Sequence, residues 1–215
     1  MLRQAELSQD LLPPRADSNG TLRRIYEAAL VLLAERGYHG TSVREIADAC
    51  GIKASSIYAH LPSKERLLHD LALLGHEEHR DVMRDAVLGA GAEPAEQLKA
   101  LVAAHVRFHA TYPVLATVAN NELHALSPAS AAEIVEIRED DIRTIQEVIE
   151  RGVRLGRFSC RDSFLATAVI GAMGIRLATW YPARGGYDVD EIVAEFTDFA
   201  LKMVSGSESS DGGEA

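Results

Sequence analysis

Apolar residues recur at a 3.6-residue period along almost the whole chain, and no run alternates with period two between hairpin turns. That regularity predicts an all-α fold. From Thr21, residues Leu22, Ile25, Ala29, Leu32 and Leu33 share one helix face, and Gly37 follows where a left-handed residue can end it. The same spacing predicts short helices over about 43–50 and 54–60, then a long one opened by Pro62-Ser63 and running to about Leu88. Further helices are expected over about 94–111, 113–126, 129–155, 162–181 and 188–204. Residues 1–20, broken by Pro13-Pro14 and Asn19-Gly20, read as a flexible arm, and residues 205–215 as a disordered tail. Between them the chain divides into a head, 21–68, and a larger helical part, 69–204.

With 47% hydrophobic residues the chain can bury a real core. Its net charge of −10 is unevenly spread: residues 1–70 hold nine Lys+Arg and nine Asp+Glu, so the whole acidic excess lies beyond them. An anionic partner is therefore expected to meet the first seventy residues. Two cysteines, Cys50 and Cys160, cannot form a disulfide framework and read as buried, reduced thiols. The first twenty residues lack a signal-peptide core. The most apolar stretch, Leu165 to Ile175, is interrupted by Thr167 and closed by Arg176, short of the roughly 20 residues that span a bilayer. The expectation is a soluble, cytoplasmic chain with no membrane partner.

The informative segment runs from Thr41 to His60. Ser42 and Glu45 have the spacing of a capping box, which fixes a helix start at Val43. Ala47 is small enough for a second helix to cross closely, Gly51 can re-aim the chain, and Ile52 and Ile57 can peg the second helix to the first. These residues specify a helix-turn-helix. Its second helix would present Lys53, Ala54, Ser55, Ser56, Tyr58 and His60, which are donors and small side chains able to enter a major groove. Thr41 and Ser42 at one helix start, and Ser63-Lys64 at another, offer hydroxyls and open N–H groups to phosphate. Arg23 and Arg24 lie at the start of the preceding helix, next to an arm that could follow the backbone or minor groove.

Residues 21–68 closely resemble the DNA-binding domain of the Tet-repressor (TetR) family. The resemblance rests on the Ala34-Glu35-Arg36-Gly37-Tyr38 helix end, on Gly40-Thr41-Ser42-Val43-Arg44-Glu45-Ile46-Ala47, on Gly51-Ile52, and on Pro62-Ser63-Lys64-Glu65. It implies that Tyr58, His60 and Lys64 hold the phosphate backbone, that Thr41, Ser42 and Arg44 sit at the groove edge, and that Lys53 to Ser56 face bases of a double-stranded operator. Two positions depart from the family pattern. Leu61 stands where Phe is usual, which implies slightly looser packing, and Ala59 stands where a larger polar residue is common, which weakens base reading there.

For the C-terminal part the resemblance implies dimerisation and a small-molecule pocket. The last two helices supply small and apolar residues for a homodimer seam: Ala166, Ala168, Ile170, Gly171, Ala172 and Gly174 on one, Ile192, Phe196, Phe199, Ala200 and Met203 on the other. Residues Arg176 to Gly186 resemble regulators of lipid, sterol and acyl-CoA breakdown, which points to a small hydrophobic effector. By position, Phe108, His109, Asn120, His124, Met173, Arg176 and Leu177 are candidates to line its pocket. His76-x-x-His79 and His105-x-x-x-His109 each put two imidazoles on one helix face, but neither has a third ligand nearby in sequence. No metal and no cofactor are therefore expected. Phosphate loops, nucleophile elbows and dinucleotide fingerprints are absent from the sequence, so no enzyme is expected. The competing reading is a helical small-molecule carrier, or a metal-dependent enzyme, with a structural N-terminal domain. The neutral head beside an acidic remainder argues against it.

Overall fold

The computed structural model describes residues 11–16, 20–184 and 186–205. Among these there are nine α-helices and no strand: α1 (Gly20–Arg36), α2 (Val43–Cys50), α3 (Ala54–Tyr58), α4 (Lys64–Gly89), α5 (Pro94–Thr111), α6 (Pro113–Asn121), α7 (Pro128–Arg154), α8 (Ser163–Arg184) and α9 (Val189–Ser205). Two helices are shorter than their apolar spacing predicts. At the end of α3 the N–H groups of His60 and Leu61 both donate to the Ile57 carbonyl, which closes the helix ahead of Pro62. At the end of α6 a 3₁₀ turn, Leu123–Ala125, takes over, leaving Glu122 free to reach back to the head.

The arm is docked where it is described. Leu12 is buried in the head core, and Arg15 lies 2.8 Å from Asp81 and 3.7 Å from Glu78 on α4. Flexibility along the whole of residues 1–20 is thus not what the structure has at 11–16, because an apolar anchor and an ion pair hold that segment. Residues 1–10, 17–19 and the predicted tail from 206 onward lie outside the described residues.

Two main cores lie along the chain. The first joins α1, α2, α3 and the start of α4, through Ile25, Leu30, Leu33, Ile46, Ile57, Leu61 and Leu68, to Leu115 and Val118 of α6 and Ile134 of α7. Leu61, at the position where the family usually has Phe, is fully part of it. The second core centres on α5, which packs against α4, α7, α8 and α9, with Leu98, Leu101, Val106, Ile149, Ile170, Leu177 and Ala200 in its interior. Helices α4 and α6 approach closely at Gly75, where an added Cβ would lie 3.2 Å from the Ala119 methyl and 3.3 Å from Leu115. Just beyond, His76 Nε2 lies 3.3 Å from the Ala119 carbonyl and ties the two helices together.

Two consequences can be measured. At Gly152 a Cβ would fall 2.0 Å from the ring of buried Phe158. Gly152→Ala should gain about 1 kcal/mol of helix propensity but lose more to overpacking, for a net cost of about 1–2 kcal/mol in urea unfolding. Unchanged stability would contradict this packing. Burial, aided by nearby Arg138, pushes His76 down to about 4, whereas the unfolded chain takes up that proton at the ordinary 6.5. Between those values the unfolded state binds the extra proton, so stability falls as pH drops from 6.5 towards 4. Between about pH 7 and about pH 5 this group accounts for about 2 kcal/mol of loss, and His76→Gln should shrink the measured loss by that amount. Equal losses in both proteins would refute it.

Candidate nucleic-acid interface and effector cavity

The helix-turn-helix is built as its residues dictate. Ser42 accepts from the Glu45 N–H at 3.2 Å, and Glu45 Oε2 accepts from the Ser42 N–H at 2.8 Å, so the capping box closes reciprocally. These bonds hold the Glu45 carboxyl below its ordinary range. Gly51 turns at φ 66°, and the Ile52 N–H returns to the Ala47 carbonyl at 3.0 Å. Ala47 and Ile57 are buried between the two helices, whereas Ile52 is only half-buried. A shallow groove runs from the start of α2 to Tyr58 and Lys64, floored by His39, Gly40 and residues 41–45.

The predicted interface residues divide into two groups. Arg44, Lys53, Ser55, Tyr58 and His60 are exposed and, among the described residues, have no side-chain hydrogen bond or ion pair; Ala54 and Ser56 are half-buried on the same short helix. The others are engaged within the protein. Thr41 is buried, its hydroxyl shared between the carbonyls of Leu32 and Gly37. The Ser42 hydroxyl is committed to the cap. Lys64 Nζ donates to the carbonyls of Tyr38 and Thr41, both at 2.7 Å, and sits 4.0 Å over the Tyr38 ring; burial holds its ammonium below the usual lysine range. Arg24 donates to the Cys50 carbonyl at 2.6 Å, and Arg23 bonds Glu27 and the Leu12 carbonyl. These cations set the shape of the head. His39, exposed at the groove, was not singled out by sequence, although it directly precedes Gly40 and the cap.

A cavity of about 320 Å³ lies between α4, α5, α6, α7 and α8. One side is apolar, with Phe108, Ala116, Ala119, Ile145 and the exposed Ile142 and Phe164; the other carries His76, His79, His105, His109, Arg138 and Asp141. Of the seven residues chosen by position, Phe108, His109 and Asn120 line it. The other four do not. His124 is exposed on the 3₁₀ turn, Met173 and Leu177 face the second core, and Arg176 points outward. Helix α8 is turned so that Thr167, Ala168, Gly171, Ala172 and Ile175 face the cavity instead.

The polar side is a connected network. His79 Nδ1 lies 2.7 Å from Asp141 Oδ2, His79 Nε2 lies 2.8 Å from His105 Nδ1, and His105 Nε2 lies 3.0 Å from the Gly171 carbonyl. His109 Nδ1 lies 2.8 Å from the His105 carbonyl. Burial lowers His109 to about 3 and His105 well below its ordinary value, so both rings are neutral. A Cβ at Gly174 would meet the His105 ring at 2.3 Å, so glycine is what lets α8 close over it. Sequence spacing found both histidine pairs. It missed Asp141 and Gly171, which are brought in by α7 and α8 from 62 and 66 residues away.

The head and the cavity wall are also directly latched. The Tyr38 N–H donates to Glu122 Oε2 at 2.9 Å, and Glu65 Oε1 accepts from the Ser127 N–H at 3.0 Å and the Ser130 hydroxyl at 2.9 Å. These bonds hold the Glu65 carboxyl below its usual range.

Residues 25–71 match the family described as bacterial regulatory proteins, tetR family, and residues 91–204 match the tetracyclin repressor-like C-terminal domain. The chain is 27% identical over 194 residues to the HTH-type transcriptional repressor KstR2 of Rhodococcus jostii, covering 88% of this chain and 95% of that protein. A regulatory protein of the tetR family from Rhodococcus RHA1 has the same fold at TM-score 0.82 and 31% identity, covering 87% of this chain and 98% of its own. AibR, solved in complex with isovaleryl coenzyme A and operator DNA, aligns at TM-score 0.72 and 22% identity over 84% of this chain and 98% of its own, a likeness of fold alone. Together with the helix-turn-helix and the cavity, these matches establish that the chain belongs to the TetR family and is a DNA-binding transcriptional regulator with a ligand-binding domain, not an enzyme.

Proposed function

We propose that the protein is a homodimeric repressor that grips a palindromic operator with two α2–α3 units and lets go when a hydrophobic, acyl-CoA-type effector enters the cavity. The observation that carries this reading is that the cavity is walled by the same two helices, α4 and α6, that complete the head core. An effector that prefers a different α4–α6 spacing shifts the heads by its differential affinity for the two states. The half-apolar, half-histidine lining suits an acyl chain ending in a polar thioester, and Arg138 at the lining suits an anionic group. Coenzyme A itself exceeds about 320 Å³ and would stay at the mouth beside Ile142 and Phe164. The isovaleryl coenzyme A bound by AibR, a protein alike in fold, favours the same ligand class.

For the DNA contacts, Arg44, Tyr58 and His60 hold phosphates, and Lys53, Ser55 and Ser56 face base edges; Thr41, Ser42, Lys64, Arg23 and Arg24 position them. A dimer would span two half-sites about 34–36 Å apart. The seam suits α8 and α9, though not the full set of small residues read from sequence. Ala166, Ile170, Gly174, Ile192 and Ala200 are buried within the monomer, whereas Phe164, Leu165, Val169 and Phe199 are exposed. The stretch Ser163–Tyr181 is 19 residues with mean hydropathy 1.4, longer than the run that stops at Arg176, and only 33% of it is buried. A second copy of the chain is the occupant that this reading assigns to its bare face.

In a gel shift with the region upstream of its own gene, the protein should give a specific complex that one of a panel of acyl-CoAs dissolves. A complex that no thioester releases would sink the effector class. Arg44→Ala and Tyr58→Phe should weaken all sequences alike, the former lowering the salt slope by about 1, whereas Lys53→Ala or Ser55→Ala should cost about 1–3 kcal/mol at the preferred site and relax base preference. Identical behaviour of the two classes would refute the division of roles. Val169→Glu should sediment as a folded monomer; a persisting dimer would move the seam elsewhere.

A further inference from the structure

We propose that His79, His105 and His109 form a divalent metal site of the zinc class at the polar end of the cavity, with its fourth position open to the cavity. One ring nitrogen from each of the three lies within 4.8 Å of the others. The other nitrogen of every ring is already fixed by an outer acceptor: His79 Nδ1 by Asp141 at 2.7 Å, His105 Nε2 by the Gly171 carbonyl at 3.0 Å, His109 Nδ1 by the His105 carbonyl at 2.8 Å. The nitrogens left over are His79 Nε2, His105 Nδ1 and His109 Nε2. A carboxylate or carbonyl behind each imidazole is the arrangement that orients metal-bound histidines and raises their basicity.

The ring centroids are 5.1, 4.5 and 5.5 Å apart. Three imidazoles bound tetrahedrally at about 2.0–2.1 Å have nitrogens about 3.3 Å and centroids about 5 Å apart; the centroids already have that spacing, and the nitrogens, now within 4.8 Å, reach it by small turns of the rings. In the metal-free arrangement a single proton holds the first two together. Gly171 can only accept, so His105 Nε2 carries hydrogen and its neutral Nδ1 accepts from His79 Nε2–H. A cation entering there displaces that one proton to solvent, while the proton between His79 and Asp141 stays. His76 lies outside the group, since among the described residues only His79, His105 and His109 bring ring nitrogens within 4.8 Å of one another. Imidazole donors in this number favour zinc and its neighbours over magnesium or calcium.

The test uses the untagged full-length chain, stripped with a chelator and dialysed against zinc sulfate. Elemental analysis should find one zinc per protomer, and near none in His109→Gln of unchanged helical circular dichroism. Zinc should raise the thermal midpoint of the wild type and not of this variant. Cobalt(II) should give the intense visible bands of a tetrahedral site. Asp141→Asn, which leaves all three ligands in place, should bind zinc about 10–100-fold more weakly. Equal zinc in wild type and His109→Gln, a cobalt spectrum like that of the aqueous ion, or undiminished affinity of Asp141→Asn would overturn the proposal. Operator binding and its release by acyl-CoA are separate readouts, so failure here leaves the regulator reading intact.

Discussion

Helix α4 is one unbroken helix from Lys64 to Gly89, and it belongs to both halves of the molecule. Its first turns supply Leu67, Leu68 and Leu71 to the head core; its middle supplies Gly75, His76 and His79 to the cavity wall. A helix resists bending far more than its ends resist pivoting. A displacement at Gly75, where the neighbouring methyl of Ala119 leaves no slack, would therefore be carried to Lys64 as a tilt. The Tyr38–Glu122 and Glu65–Ser127 bonds latch the head to the far side of the same lever.

The positive charge in the head is divided between shape and recognition. Lys64, Arg23 and Arg24 are held by carbonyls and Glu27, so they fix where α1, α2 and the docked segment 11–16 sit. Arg44 and Lys53 remain exposed on the helix-turn-helix. Spending some cations on backbone carbonyls keeps the short α2–α3 unit rigid, which a site that reads base edges requires. The acidic excess beyond residue 70 disfavours DNA contact outside the head.

Much of this was legible in the residues. The capping box, the Gly51 turn and the 3.6-residue spacing are local signals, and each became the element it predicted. The end of α3 was overrun because apolar spacing carries no record of a bifurcated bond to the Ile57 carbonyl. Cation partners were hidden for a similar reason: an arginine beside a predicted interface looks available until its carbonyl partner, 26 residues away for Arg24, is known. The cavity was half legible. Phe108, His109 and Asn120 lie on α5 and α6, whose faces the pattern defines, but α8 is mostly apolar on its buried and exposed faces alike, so its rotation leaves no periodic trace. Asp141, one of six residues from Arg138 to Arg143 of which five are charged, is buried against His79, a contact that nothing in that local run of charge records.

The proposed release couples the cavity and the head in one equilibrium through α4. The most direct measurement is the affinity for an acyl-CoA that releases the complex, determined by calorimetry with the free protein and again with the protein saturated by operator DNA. Linkage requires that the operator weaken effector binding by the same factor by which the effector weakens operator binding, about 5–150-fold for couplings of ordinary size. Equal effector affinity with and without operator, at full occupancy of the cavity, would contradict the account.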